Sequence, residues 1–353
     1  MNILSPGRKI ASYVFLVAGI IMFIFALAID IMGKDISYRG TLLVLGIVAI
    51  IAGLYFFPSL KYHRNIINIL FLFPLLFTFL VTVIIPLLLG VYYSFTDWDG
   101  IRMKGFVGFA NYAKMFSQPS FLWSILITFL FVVFNMILVN LVGFLLALLC
   151  TTKIKGVGFF RASYFLPNLI GGIVLGYIWQ FIFANILTDI LNQQHSWLAD
   201  TNTAFMAIII VYIWQYAGYI MLIYITGLTT VPRDVLEASA IDGANAIQTL
   251  FKIKLPMIAS TITICTFLTL TSAFKQFDVN LALTGGTGSV TGFLGEGNYI
   301  TNGTEMLALN IYQTAIKQGY YSLAQAKAVL FFLILATVSI VQVRISNKRE
   351  VEM

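Results

Sequence analysis

Long apolar runs broken by short polar gaps dominate the chain, and these runs set its architecture before any motif is read. Eight of them are long enough, or nearly so, to cross ~30 Å of hydrocarbon as α-helices. They fall near 11–32, 41–59, 67–94, 122–150, 163–186, 204–229, 257–276 and 325–343. The pattern predicts an all-α membrane protein with eight transmembrane helices.

Polar residues divide the runs into two groups. The first two, with Asp30 close to a boundary, are nearly pure Ile, Leu, Val, Phe, Ala and Gly. They read as two accessory, lipid-facing helices within residues 1–66. The remaining six, within residues 67–353, form the core and carry the polar content. Asn135 and Asn140 lie in the fourth run, and Asn168 with Gly171 and Gly172 in the fifth. Trp214, Gln215 and Tyr216 lie in the sixth, and Thr269, Thr271, Ser272, Lys275 and Gln276 in the seventh.

Composition agrees with a bilayer. Of 353 residues, 60% are hydrophobic and only 10% charged, with mean hydropathy +0.94. A soluble domain carries about 25% charged residues. The net charge of +7 does not point to nucleic acid, because the basic residues are scattered singly between apolar runs. They follow topology instead. Arg8, Lys9, Lys61, Arg64, Lys153, Lys155, Arg161, Arg233, Lys252, Lys254, Arg344, Lys348 and Arg349 all fall in gaps on one side. The positive-inside tendency puts that side, with both termini, in the cytoplasm. The first run is too long for a signal peptide's apolar core and reads as a retained helix.

Catalytic and metal chemistry is not visible. His63 and His195 lie in loops on opposite sides of the membrane and form no pair. Cys150 and Cys265 sit inside apolar runs and read as buried thiols, without a disulfide or metal framework. Asp97 and Asp99, beside Trp98 at a helix end, cap and anchor. The glycine-rich stretch at 285–295 lacks the following Lys and Ser/Thr of a phosphate-binding loop, so it reads as a flexible external loop. No acidic pair inside the membrane suggests a proton relay.

Intramembrane amides and hydroxyls admit two readings. They hydrogen-bond between helices as packing glue, or they line a hydrated cavity for a polar solute. Trp, Tyr and Gln side by side suit a sugar, whose C–H face stacks on rings while its hydroxyls need partners. Lys275 and Asp278 are read as a charged pair at the external mouth of the seventh run.

Three gaps are long. The external 95–121 segment mixes aromatic and polar residues, and the external 277–324 segment contains LTGGTGSVTGFLGEGN. The third, 231–256, begins VPRD, with Pro232 and Asp234 as helix-start residues. Leu236, Ala240 and Ile241 recur on one helical face, and Gly243 permits a break. Phe251, Ile253 and Leu255 then act as apolar anchors, and Pro256 occupies the first turn of the seventh helix. Physics alone leaves two options, an amphipathic hairpin resting on the membrane or a docking element.

The stretch EASAIDGANAIQTLFKIKLP resembles the EAA motif of binding-protein-dependent ABC importer permeases: Glu-Ala-Ala, three residues, Gly, nine residues, Ile-x-Leu-Pro. Glu237, Ala238, Gly243, Ile253, Leu255 and Pro256 match at those spacings, and Ser239 is the one departure. Asp242–Gly243–Ala244, Phe251, FVGFANYAKMF, FLPNLIGG and FDVNLALTGG are similar to the carbohydrate branch, so the likeness runs from about residue 67 to the end. It is of the larger-subunit maltose-transporter type, without that relative's large external domain between the third and fourth helices.

The resemblance implies a type I importer permease fold in the cytoplasmic membrane of a prokaryote. The chain would be a subunit of an ATP-driven importer of a maltodextrin-like oligosaccharide, and not itself an enzyme. Its partners would be a second homologous permease, two cytoplasmic ATPases and an extracytoplasmic solute-binding protein. ATP and magnesium would be bound by the ATPases, leaving this chain without a cofactor. The residues implied in coupling are Glu237, Ala238, Ser239, Ala240, Asp242, Gly243, Ala244, Phe251, Ile253, Leu255 and Pro256. Those implied in sugar binding are Asn168, Gly172, Trp214, Gln215, Tyr216, Tyr219, Thr269, Ala273 and Gln276. The rival reading is a stand-alone secondary transporter or channel for a polar solute.

Overall fold

The computed structural model describes residues 6–31, 38–56, 63–152, 155–192, 194–295, 297 and 299–347. Of the basic residues assigned to one side, Lys61, Lys153, Lys348 and Arg349 lie outside the described residues, as do the side chains of Arg8, Lys9 and Arg64. The same holds for the side chains of Asp30 and His63. The chain forms two compact units, Met1–Leu89 and Gly90–Met353.

In the first unit, α1 (Pro6–Ile31) and α2 (Arg39–Tyr55) pack as a hairpin. Small residues allow the contact: a methyl on Gly46 would lie 2.9 Å from the Phe23 backbone nitrogen. Ser12 Oγ, buried at this contact, donates to the Gly53 carbonyl over 2.7 Å. Next, α3 runs from His63–Phe79 through a π turn at Leu80–Ile84 into Ile85–Ser94. Its side chains from Phe71 to Leu89 are exposed or half-buried, as expected of a surface facing lipid or another subunit.

The second unit holds the remaining helices. These are α4 (Ala110–Phe116), α5 (Pro119–Cys150), α6 (Val157–Leu169) and α7, which runs from Gly172 to Ile190 across a π turn. They continue with α8 (Thr201–Thr230), α9 (Arg233–Ile241), α10 (Ala246–Met257), α11 (Ala259–Phe274), α12 (Asp278–Leu283), α13 (Leu307–Tyr312) and α14 (Tyr321–Asn347). The core lies where α5, α8 and α11 meet, around Phe131, Val139, Ile208, Val211, Tyr212, Met221 and Cys265. Without a hydrophobic drive between helices in lipid, close backbone approach has to supply the packing. Gly143 on α5 meets Ile220 of α8, and Gly218 on α8 lies directly against the Tyr164 carbonyl of α6. Cys150 and Cys265 are both buried and free, as the sequence suggests.

Among the described residues, five helices are long and apolar enough to cross a membrane, and a bent pair makes a sixth. The first two runs form shorter apolar helices, Ile10–Ala26 and Arg39–Tyr55. Two expected spans differ in form. The run at 163–186 is not one helix: it ends at Leu169 and restarts at Gly172, with Ile170 extended at φ −80 and ψ 127. Pro167 lies in the last turn before the stop, and the Gly171–Gly172 pair follows it. The seventh run is bent by 74° at Ile258, between α10 and α11. Pro256 therefore sits in the last turn of α10, reached through a π turn at Leu250–Lys254, and not in the first turn of the spanning α11.

The 95–121 and 277–324 segments are more ordered than the sequence implies, and the fold is not purely helical. Strands β1 (Thr96–Trp98) and β2 (Met103–Phe106) pair antiparallel, as do β3 (Val290–Thr291) and β4 (Tyr299–Ile300). Asp99 Oδ1 accepts from the backbone N–H groups of Ile101 (3.1 Å) and Arg102 (2.8 Å), shaping the first hairpin's turn. Those two bonds hold its carboxyl below the ordinary 3.8. Trp98 is clamped to α14 by Ser322, which accepts from its N–H at 2.8 Å and donates to its carbonyl at 2.7 Å. Far from hanging free, the 277–324 segment is stapled to α5. Trp123 Nε1 donates to the Gly303 carbonyl (2.8 Å), and Thr128 Oγ1 accepts from Leu307 N (2.8 Å).

Candidate functional site

Helices α7, α8 and α11, with the start of α12, enclose a cleft of about 320 Å³. Its walls are Gly172, Gln215, Tyr216, Ser272, Lys275, Gln276, Phe277, Asp278 and Val279. The break at Ile170–Gly171 opens it, because it ends α6 and brings Gly172 against α12. A methyl on Gly172 would lie 2.6 Å from Asp278 Cβ, so only glycine fits there. Gly176 meets Ala282 equally closely one turn further on. Tyr216 is held by stacking on Tyr212 at 4.3 Å, and Tyr212 OH hydrogen-bonds Ser272 Oγ at 2.9 Å.

The cleft wall has free hydrogen-bonding capacity. Gln276 is 6% exposed and its Nε2 has no partner, while Gln215 Nε2 reaches only the Ile170 carbonyl at 3.4 Å. Orphaned buried donors are rare in folded proteins and mark sites completed by something else.

Four of the nine residues implied in sugar binding therefore meet in this cleft: Gly172, Gln215, Tyr216 and Gln276. Trp214 points elsewhere, into an apolar cleft with Tyr164, Pro167 and Ala217, and contacts Trp179 edge-on at 5.5 Å. Ala273 is fully buried, and Tyr219 packs half-buried against the core. Asn168 is half-buried at the end of α6, away from the cleft walls. Thr269 is engaged in packing: its hydroxyl donates to the Cys265 carbonyl (2.9 Å) and accepts from Asn140 Nδ2 (3.2 Å). Asn140 Oδ1 in turn accepts from Tyr224 OH at 3.0 Å. This triangle ties α5, α8 and α11 together, so Thr269 and Asn140 serve packing, whereas the two glutamines line the cleft.

Lys275 and Asp278 do not form the expected pair. Both are exposed at the cleft, and among the described residues neither forms an ion pair. Lys327 was not singled out in the sequence. It is 2% exposed inside α14, and a lone lysine in an apolar run was its available signal.

The loop between α8 and α11 is a built knob. Gly243 sits at φ +77, ending α9 in a left-handed turn. Asn245 and Gln248 then open α10 with a reciprocal capping box, at 2.8 and 2.9 Å. Ser239 is buried, and Leu236 and Leu255 pack against the core. Ile253 and Ala244 are half-buried, whereas Glu237, Ala238, Asp242 and Pro256 are exposed. The sequence reading put Leu236, Ala240 and Ile241 on one face and made Phe251 an anchor. Instead the i, i+3 pair Leu236 and Ser239 turns inward, leaving Ala240 exposed, Ile241 86% exposed and Phe251 63% exposed.

A broken-helix bundle with a polar cleft, and a folded loop joining two of the helices that line it, suits a membrane transport protein. No family model matches the chain. It is 43% identical over 289 residues to a probable starch degradation products transport system permease protein, AmyD, of Thermoanaerobacterium thermosulfurigenes, a match covering 80% of this chain and 95% of that one. It is 31% identical to the multiple sugar-binding transport system permease protein MsmF of Streptococcus mutans, over 75% of this chain and 90% of the relative. Its fold is similar to a solved bacterial ABC transporter involved in the import of the acidic polysaccharide alginate, with TM-score 0.69 and 17% identity over 82% of this chain and 97% of that chain. The chain belongs to the sugar ABC transporter permeases, multi-pass membrane proteins that transport and are not themselves enzymes.

Proposed function

We propose that this chain forms the translocation pathway of an ATP-driven importer for a maltodextrin-like oligosaccharide, and is driven by a separate ATPase docked on the loop at 231–256. One observation carries the reading: α8 and α11, which line the polar cleft, are the two helices that the knob directly joins. A rigid push on the knob thus reaches the cleft walls without passing through another element. Ile241, Ile247 and Phe251, 86%, 69% and 63% exposed, give a partner an apolar surface to cover. Supporting the substrate class, the relative AmyD is named for starch degradation products.

In this reading the two N-terminal helices are accessory and complete eight crossings, with both termini cytoplasmic. A second homologous permease closes the pathway. Two cytoplasmic ATPases bind ATP and magnesium, and an extracytoplasmic binding protein meets the 95–121 and 277–324 segments. Proteoliposomes test it. The complete importer accumulates maltotriose only with internal ATP, and the isolated chain does not. Uptake by the isolated chain without any ATPase would establish the secondary transporter instead.

A further inference from the structure

We propose that Lys275 and Asp278 read the sugar in the cleft as a donor–acceptor pair, and that Asp278, by its like charge, holds back a uronate that Lys275 alone would favour. The inference rests on the sugar-importer reading above and assigns the chemistry within its site. Both side chains line the 320 Å³ cleft, and among the described residues neither is engaged in an ion pair or a side-chain hydrogen bond. The absence of a side chain at Gly172 leaves room for Asp278: an added methyl would sit 2.6 Å from its Cβ and 3.2 Å from Oδ2.

The chemistry is complementary to a diol. An ionised carboxylate only accepts, an ammonium only donates, and a sugar hydroxyl does both. One hydroxyl can accept from Lys275 while a neighbour donates to Asp278. Gln276 Nε2, buried without a partner beside them, supplies a further donor. Tyr216 and Phe277 offer ring faces for the C–H side of the sugar. A uronate would bring its own carboxylate against Asp278, and the like charges repel.

The test is equilibrium binding of radiolabelled maltotriose and trigalacturonate to the complete importer in nanodiscs, without binding protein. Asp278→Asn should weaken maltotriose about tenfold, as expected for loss of a charged acceptor, and raise the trigalacturonate-to-maltotriose affinity ratio. Lys275→Gln should also weaken maltotriose, yet lower that ratio. A folding defect shifts both sugars together, so opposite movements of the ratio establish the pair. A ratio unmoved in both variants overturns the proposal even if binding falls. Native importer that hydrolyses ATP but binds neither sugar removes the sugar reading itself.

Discussion

Lys327 donates to Asn310 Oδ1 and to Thr314 Oγ1, each over 2.8 Å, from within the apolar helix α14. Its ammonium also lies 5.1 Å from the centre of the Phe121 ring. A buried charge needs such compensation, and here the compensating groups belong to α13 and the turn after it. The lysine therefore pins the 277–324 segment onto the last helix. Lys327→Met strips the carbonyl of Asn310 and the hydroxyl of Thr314 of their donor, and leaves nearby Glu305 without its cation. Leaving a buried polar group without its partner costs about 1–3 kcal/mol. Thermal unfolding of the purified importer should show a lower midpoint for this variant, and an unchanged midpoint would contradict the pinning role.

Glu305 carries a pH signature. Burial pushes its carboxyl above the ordinary 4.5, against smaller downward pulls from Asn302, Asn310 and the lysines at 327 and 317. A carboxyl whose folded value exceeds its unfolded one favours folding while protonated. That contribution is complete below 4.5 and is lost as pH rises through the raised value. Unfolding midpoints measured upward from pH 4.5 should fall in the native importer. Glu305→Gln should remove that part of the decline, so identical slopes would count against it.

Gly218 sets the packing of α8 on α6. A methyl added there would overlap the Tyr164 carbonyl, a backbone group that cannot swing aside. Overpacking a close-packed site costs about 1–3 kcal/mol even when side chains can adjust. Gly218→Ala should therefore cut the yield of monodisperse importer on size exclusion. Gly158, also on α6, has nothing within 4 Å of its would-be methyl. Gly158→Ala should leave the yield unchanged or raise it, since alanine is the better helix former.

Much of this was legible in the chain. The apolar runs from the third onward mark the helices long enough to span, and the EAA spacing locates the knob with its left-handed turn at Gly243. Gln215 and Gln276, amides within apolar runs, mark the cleft. Other features depended on three-dimensional compensation. Thr269 reads like a cavity hydroxyl until Asn140 and Tyr224, far apart in sequence, arrive beside it. The bend at Ile258 falls just past Pro256 and a π turn at Leu250–Lys254, whereas the sequence reading had Pro256 opening the next helix. The ordering of 277–324 rests on Trp123 and Thr128, about 180 positions upstream of their partners.

Gly243 separates folding from coupling. Its φ of +77 disfavours most side chains, but its would-be Cβ meets nothing within 4 Å. Asparagine visits the left-handed region more easily than other residues, so Gly243→Asn should keep the unfolding midpoint close to native. Its amide would stand out from the knob into whatever docks there, adding bulk to a surface that a packed interface leaves no room to absorb. We expect uptake of maltotriose and binding-protein-stimulated ATP hydrolysis to fall together, by about tenfold for each 1.4 kcal/mol of docking lost. Gly243→Val adds strain of about 1–2 kcal/mol to the same protrusion and should lower the unfolding midpoint as well. Native uptake by a folded Gly243→Asn importer would mean that the ATPase engages another part of the chain.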